Sequence, residues 1–489
     1  MATTDAATSA AQTERGPSSR WTGLAVISLA QLMVTLDSTI IAVALPSAQD
    51  EVGLTDVSRQ WAVTAYALTF GGLLLLGGRI GDHMGRKWSL IIGVAGFAVA
   101  SALGGAAGTA ELLVAARALQ GVFAALIAPA TLSLISLTFL DPGERARAFG
   151  IFTATSMSGG ATGLVLGGAL TTLVDWRWCL YVNVPIALVI LIGGWLTVPS
   201  THGRHGARLD VPGAVLGTLG LLAVIYGLGE AGNLGWSSPI IIGALLVGVL
   251  LLASFVVVET KVSAPMLPLR VLTNRNSGGA FLAMAISAFC MLGMFLGMTY
   301  QLQSVMGYKA IQAGLAFLAY IVTAAIYSTR VAPKLLLRVR PGVMISSGLV
   351  ISAIGLFLLT RLTPESTYLV DIFPALFLFG IGVGNIAVPI FSTAMSAADS
   401  RDAGIVSAVV STSQQIGGSI GTALLNTVST VTAAGYLLSH PGGTGAASAA
   451  MVHGLTVACA VAGGVALVGA IAARLLIDID PRKKQTVSS

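Results

Sequence analysis

Charge is what this sequence has least of. Only 9% of its 489 residues are Asp, Glu, Lys or Arg, against roughly 25% in an ordinary globular domain. With 55% hydrophobic residues beside it, that scarcity excludes a water-soluble protein. Cysteine is scarce too: Cys179, Cys290 and Cys459 are odd in number and far apart, so they frame neither a disulfide scaffold nor a metal site. There is no G-x4-G-K-[ST] phosphate loop, no H-E-x-x-H pair and no polar segment large enough to bind ATP. Neither a cofactor nor a metal is expected, and the chain does not read as an enzyme. The net charge of +6 is spread singly and in pairs, not gathered on one face as a nucleic-acid partner would require.

What the sequence does have is apolar runs of membrane length. A backbone in the hydrocarbon layer must satisfy its own polar groups, as helices or as a closed barrel. Barrel strands alternate apolar and polar residues, whereas these runs are continuously apolar for about 20 residues, so helices are predicted. Fourteen spans are expected: 22–45, 58–77, 88–107, 111–136, 148–172, 179–198, 211–229, 238–258, 278–300, 311–329, 342–360, 370–393, 404–430 and 454–477. The 59 glycines suit close helix packing. With the N-terminus in the cytoplasm, 21 of the 26 Lys and Arg fall on the cytoplasmic side. Only Arg59, Arg177, Lys309 and Arg361 lie outside, and Arg117 falls within a span. The seven tryptophans fall at or near span ends, where an aromatic belt forms.

Repetition is faint. Gly159-Gly160-Ala161-Thr162-Gly163 in the fifth span returns as Gly417-Gly418-Ser419-Ile420-Gly421 in the thirteenth, and the charged turn at 77–87 has a degenerate counterpart in 330–341. Both offsets are eight spans, as two six-helix halves with two helices inserted between them would give; repeated halves form a central site that opens to alternate sides. The expected organisation is a disordered cytoplasmic tail at 1–20, a six-helix bundle at 21–198, a two-helix insert with flanking loops at 199–276, a second bundle at 277–480 and a tail at 481–489. No cleavable signal peptide is read in the first twenty residues, which hold no apolar stretch.

Three sets of residues carry chemistry. Asp37 in the first span and Arg117 in the fourth are costly at membrane depth, and such groups mark ion paths by default; a buried carboxylate can gain and lose a proton during a cycle. The turn Gly77-Gly78-Arg79-Ile80-Gly81-Asp82-His83-Met84-Gly85-Arg86-Lys87 concentrates charge between two apolar runs. Gly159, Gly163 and Gly167, flanked by Gly160 and Gly168, put a bare stripe on the fifth helix for another helix to pack against. The polar residues Gln31, Gln120, Asn183, Asn385, Gln414 and Gln415 lie within spans; they are candidates for a substrate path or for interhelical hydrogen bonds.

The 77–87 turn resembles the signature loop between the second and third helices of major facilitator superfamily transporters. Leu36-Asp37-Ser38-Thr39-Ile40 through Leu45-Pro46 resembles the first-helix motif of fourteen-helix drug:proton antiporters. Arg117-Ala118-Leu119-Gln120-Gly121 resembles their R-x-x-Q-G, the 156–168 glycines resemble the fifth-helix antiporter motif, and Asp175-Trp176-Arg177-Trp178 with Asn183-Val184-Pro185 resembles their W-R-W…N-V-P. One departure is Leu164, where many members carry proline.

The resemblance covers about residues 21–480 and implies an all-α integral membrane protein of two pseudo-repeated six-helix bundles plus two inserted helices. It implies proton-coupled efflux of amphipathic or cationic small molecules from a bacterial inner membrane. On this reading Asp37 and Arg117 couple the proton; Gly78, Arg79, Gly81, Asp82, Gly85, Arg86, Lys87 and Arg147 form a gate, with Asp141 and Glu144 near it. The expected partners are a small-molecule substrate and membrane lipid, with no obligate protein. A nutrient facilitator or symporter on the same scaffold, or a membrane sensor without turnover, are the rival readings.

Overall fold

A computed structural model describes residues 17–200, 210–262, 265–396, 402–440 and 445–478. Most of the expected tails, and the loop residues Arg204 and Arg208, lie outside the described residues. Within them the chain is helical, in the sequence's own order: α1 Pro17–Val52, α2 Asp56–Met84, α3 Arg86–Gly105, α4 Ala110–Thr138, α5 Pro142–Leu173, α6 Trp178–Thr197, α7 Val211–Leu234, α8 Pro239–Glu259, α9 Arg275–Tyr300, α10 Gln312–Leu336, α11 Pro341–Leu358, α12 Tyr368–Met395, α13 Ala403–Ser439 and α14 Ala446–Leu476. Thirteen of these are apolar enough throughout to cross a membrane. The other, α13, spans 37 residues and is diluted by Ser, Thr and Gln.

Several boundaries differ from the expected ones, mostly outward, although α3 ends at Gly105 and α11 at Leu358, each two residues short of expectation. Helix α1 begins at Pro17, so residues 17–20 are helix and not tail. Helix α5 begins at Pro142 behind an Asp141 cap, whose side chain accepts the Glu144 N–H at 2.8 Å. Helix α7 runs five residues past the expected end at 229, to Leu234. The stretch 77–87 is not an open loop: helix persists to Met84, the break is Gly85 alone at φ +92°, and Arg86 starts the next helix. A residue with a Cβ is strained at that φ, which is why glycine stands there.

The pseudo-repeat is visible in the packing. Helix α5 lies on α1, with Cβ atoms built at Gly159 and Gly163 falling 2.1 and 2.0 Å from the hydroxyls of Thr35 and Thr39. Eight helices on, α13 lies on α9 in the same way, with Gly417 and Gly421 against the carbonyls of Ala285 and Phe289. Likewise α4 meets α2 at Gly121 and α12 meets α10 at Gly380. With no hydrophobic force between helices in lipid, such backbone approach is what binds them. Two members of the α5 stripe do not serve it: a Cβ at Gly160 reaches its nearest neighbour only at 4.0 Å, and at Gly168 meets nothing within 4 Å. They lie off the α1 face because a helix brings back the same face every three to four residues.

The inserted hairpin α7–α8 packs on the side of the bundles. Ile240, Leu246, Val249, Leu250 and Val257 along α8 are exposed, as lipid-facing residues are. Helix α1 by contrast exposes no large hydrophobic side chain between Trp21 and Leu45, so it is an inner helix.

Both ends of the described chain lie on one face of the helix bundle; the opposite face is named the outer and this one the inner. Toward it, a single apolar core joins the two bundles, running from Leu24, Ile135 and Phe149 to Phe281, Phe391, Ile405 and Ile477. Toward the outer face there are two separate cores: Leu36, Ile40, Leu45 and Trp176 in the first bundle, and Met294, Phe317, Leu356 and Phe379 in the second. The bundles share one core at the inner face and have separate cores at the outer, where Gly314 of α10 still packs on Leu164 and Val165 of α5.

Candidate functional site

Asp37 and Arg117 meet. Asp37 is 0% exposed and Arg117 1%, and Arg117 Nη1 donates to Asp37 Oδ2 at 2.5 Å. The other oxygen, Oδ1, accepts from Gln120 Nε2 at 2.9 Å and Asn183 Nδ2 at 2.8 Å. Both amides also donate to Ser101 Oγ, at 3.0 and 2.9 Å, and Ser101 donates in turn to the Leu180 carbonyl at 2.9 Å. Arg117 is held from its other side, where Nε donates to Ala62 O at 3.2 Å and the guanidinium lies 4.4 Å from the Tyr66 ring centre. One charge pair thus draws together α1, α2, α3, α4 and α6. Leaving either charge alone in such a place costs about 3–5 kcal/mol, and the surrounding amides and hydroxyl are what make the pair tolerable.

Spacing explains how the chain delivers these groups. Arg117 and Gln120 are three apart on α4 and so share a face; Arg117 Nη1 also donates to Gln120 Oε1 at 2.8 Å. Asn183 opens the main part of α6, directly after the short helical turn at 178–181. Trp176 and Arg177 pin that turn to the outer end of α1: the indole N–H and the guanidinium reach Glu51 at 2.6 Å each. Those two bonds hold the Glu51 carboxyl below its ordinary value of 4.5.

The expected substrate-path residues divide. Gln120 and Asn183 belong to the Asp37 site and are fully buried. Asn385 is a helix-to-helix tie, donating to Met344 O and Ser347 Oγ on α11 at 2.9 and 3.0 Å. Gln31 accepts from Thr131 Oγ1 at 3.5 Å and is half-buried. Gln414 is exposed, and the stem of Gln415 lies against Gly71 of α2. Only these last three keep a side chain near accessible space.

The 77–87 stretch joins the bundles at the inner face. Arg86 Nη2 bonds Asp82 Oδ1 at 2.7 Å across the Gly85 break. A Cβ at Gly404 would fall 2.2 Å from Asp82, and one at Gly78 would fall 2.6 Å from the Ala408 Cβ. Asp82 therefore sits over the first turn of α13, where a negative charge is favoured by roughly 0.3–1 kcal/mol. Gly81 packs on Ser89. Arg79 donates to Pro265 O at 2.7 Å and Lys87 to Trp195 O at 2.8 Å. The segment after α8 is stapled here as well, with Glu259 accepting from the backbone of Met266 and Leu267 and Arg270 pairing with Asp402 at 2.7 Å. Arg147 and Glu144, expected at this gate, tie α5 to α1: Arg147 lies 5.0 Å from the Trp21 ring centre and Glu144 pairs with Arg20 at 3.1 Å.

Sequence reasoning missed three participants. Ser101 is a small polar residue in an apolar run and gives no signal. Tyr66 is an aromatic in an apolar run and gives no signal either. Glu230 was legible as a carboxylate, but the early end set for the seventh span placed it in a loop.

A helical bundle of two repeats, closed at one face around a buried ion pair, is the architecture of a membrane transporter. The profile of the Major Facilitator Superfamily matches residues 27–422, and the chain belongs to that family. It is 47% identical over 461 residues to the puromycin resistance protein pur8 of Streptomyces alboniger, covering 94% of this chain and 92% of that protein. It is 37% identical to the cephamycin export protein CmcT of Amycolatopsis lactamdurans, over 83% of this chain and 84% of that one. It is 33% identical to the multidrug efflux pump LfrA of Mycolicibacterium smegmatis, over 86% and 82%. Among solved structures the fold is similar to that of the human organic anion transporter MFSD10, with a TM-score of 0.63 and 13% identity over 94% of this chain and all of that one.

Proposed function

We propose that this transporter exports an amphipathic or cationic small molecule, a drug, antibiotic or secondary metabolite, in exchange for protons across a bacterial inner membrane, with both termini in the cytoplasm. Similarity to a cephamycin export protein and a multidrug efflux pump supports the direction, and similarity to a puromycin resistance protein supports the substrate class. The observation that carries the proton is the Asp37 site. A proton arriving at Oδ2 and the Arg117 guanidinium compete for one oxygen, so protonation frees Arg117 to turn toward Gln120 and Ala62. Because Arg117 is also fixed to α2, its release alters the grip of α4 on the helix that carries the inner-face latch. The coupling ion is the proton alone, with no cofactor.

The test is proton-driven dye transport in inside-out vesicles, wild type against Asp37→Asn. Wild type accumulates dye until a protonophore collapses the gradient, and the folded variant loses driven transport by roughly tenfold or more. Undiminished driven transport in the variant would remove Asp37 from the proton path. A wild type that moves none of a broad dye panel favours a narrow exporter or an importer.

A further inference from the structure

Helix α2 is gripped on two opposite sides at one height. On one side, Ala62 and Tyr66 hold Arg117 of the coupling site. On the other, Gln60 and Thr64 hold Glu230 of the inserted helix α7. Gln60 Nε2 donates to the two carboxylate oxygens at 2.9 and 2.8 Å, and Thr64 Oγ1 donates to Oε1 at 3.3 Å. Residues two apart on a helix point about 200° apart, which is why 60 and 64 serve one neighbour and 62 and 66 the other. Glu230 is 8% exposed. Glu230 lies near the outer end of α7, within reach of protons from that side, and a purely structural tie needs no charge.

The same helix is also fastened to the other bundle. Just beyond α7, Trp236 Nε1 donates to Thr427 Oγ1 of α13 at 2.7 Å, and a Cβ at Gly232 would lie 3.3 Å from Asn426. Helix α7 therefore straps the outer seam between α2 and α13, in the region where the two cores are separate. If the outer ends rock against each other, α7 cannot keep both attachments. Pulling an ionised carboxylate off the Gln60 and Thr64 donors breaks charge-assisted hydrogen bonds, whereas pulling off a protonated one breaks only weaker neutral ones.

We propose that Glu230 is a second proton site of the transport cycle: ionised, it pins the inserted pair to α2, and protonated from the outer side, it lets α7 part from α2 as the bundles move. This deepens the proton-driven reading above and rests on it. Several elements bring polar or titratable groups toward this end of α7. Helix α2 brings Gln60, Thr64 and the neighbouring Arg59, whose Nη1 donates to Gln49 at 2.9 Å. Helix α7 brings Tyr226, stacked on Trp61 with ring centres 6.1 Å apart. Helix α13 brings Asn426 and Thr427, and the titratable residue of α8 is Glu259, at the far inner end.

The experiment uses the full chain in nanodiscs, with the three cysteines replaced and spin labels at Val63→Cys and Leu234→Cys, both exposed positions. Distances between α2 and α7 are read by electron–electron resonance as the pH is stepped. Wild type shifts from a short population at alkaline pH to a longer one at acid pH, Glu230→Gln stays in the longer one throughout, and Glu230→Asp titrates with a displaced midpoint. In vesicles, Glu230→Gln lowers proton-driven efflux by roughly tenfold while dye binding is kept. A pH-independent wild-type distance, or wild-type titration in Glu230→Gln, overturns the proposal. Should Glu230→Gln not fold, a Glu230→Asp midpoint identical to wild type overturns it. A wild type that carries no dye yet shows the distance shift fails the transport reading and leaves the strap standing.

Discussion

At the scale of single residues, the centre of the molecule is one oxygen shared by two claimants. Asp37 Oδ2 faces Arg117, while Oδ1 is held by two amides that Ser101 positions. Ser101 touches no ion itself, so its effect runs through Gln120 and Asn183. Removing its hydroxyl loosens both amides from the carboxylate. Ser101→Ala is therefore expected to lower the initial rate of driven transport by roughly tenfold. Initial rates in inside-out vesicles check this, and an unchanged rate with a lower melting temperature would reduce Ser101 to packing. The site residues were legible only in part. Asp37 and Arg117 announce themselves as charges in apolar runs, but nothing in their positions, 80 residues apart, says that they touch. Gln120 and Asn183 were visible as polar residues in spans, and only the fold shows that these two surround Asp37.

At the scale of helices, glycine placement sets which pairs approach. Of the five glycines between 159 and 168 on α5, three abut α1 and two do not. Gly163→Val would drive its side chain into the Thr39 hydroxyl and the Leu36 carbonyl, which lies 2.7 Å from a built Cβ. A loss of about 1–3 kcal/mol is expected from such overpacking, while Gly168→Ala is near neutral. Thermal unfolding of the two variants in detergent separates them, and equal melting temperatures would contradict the assigned α1 face. Leu164 replaces the proline of the resembled motif, and α5 runs unbroken from Pro142 to Leu173; its glycines supply contact without a kink. The helix count and order were readable because twenty-residue apolar runs have no other stable form in lipid. Helix ends were not, because polar residues such as Ser19, Arg20 and Glu230 continue a helix wherever another element satisfies them.

At the scale of the molecule, the joined inner core and divided outer cores describe one end of an alternating-access cycle. The inner closure depends on small residues as much as on the Asp82–Arg86 pair, because Gly78 and Gly404 let α2 and α13 touch. Gly78→Val is expected to part them and shift the population toward inner-open forms. Maleimide labelling of Ile405→Cys, buried in the inner core, then speeds by roughly tenfold; an unchanged rate would show that the latch bears no closing load.

The sequence by itself determined the medium, the membrane-length helices and the family, since hydrophobic length and short motifs are local properties that each segment carries whatever its neighbours do. Only the tertiary structure decided that Asp37 meets Arg117, that Asp82 sits at the start of α13, and that Glu230 reaches α2 across 170 residues of chain. Such pairings depend on which helix faces which, and that is settled by the joint packing of all fourteen rather than by any one of them.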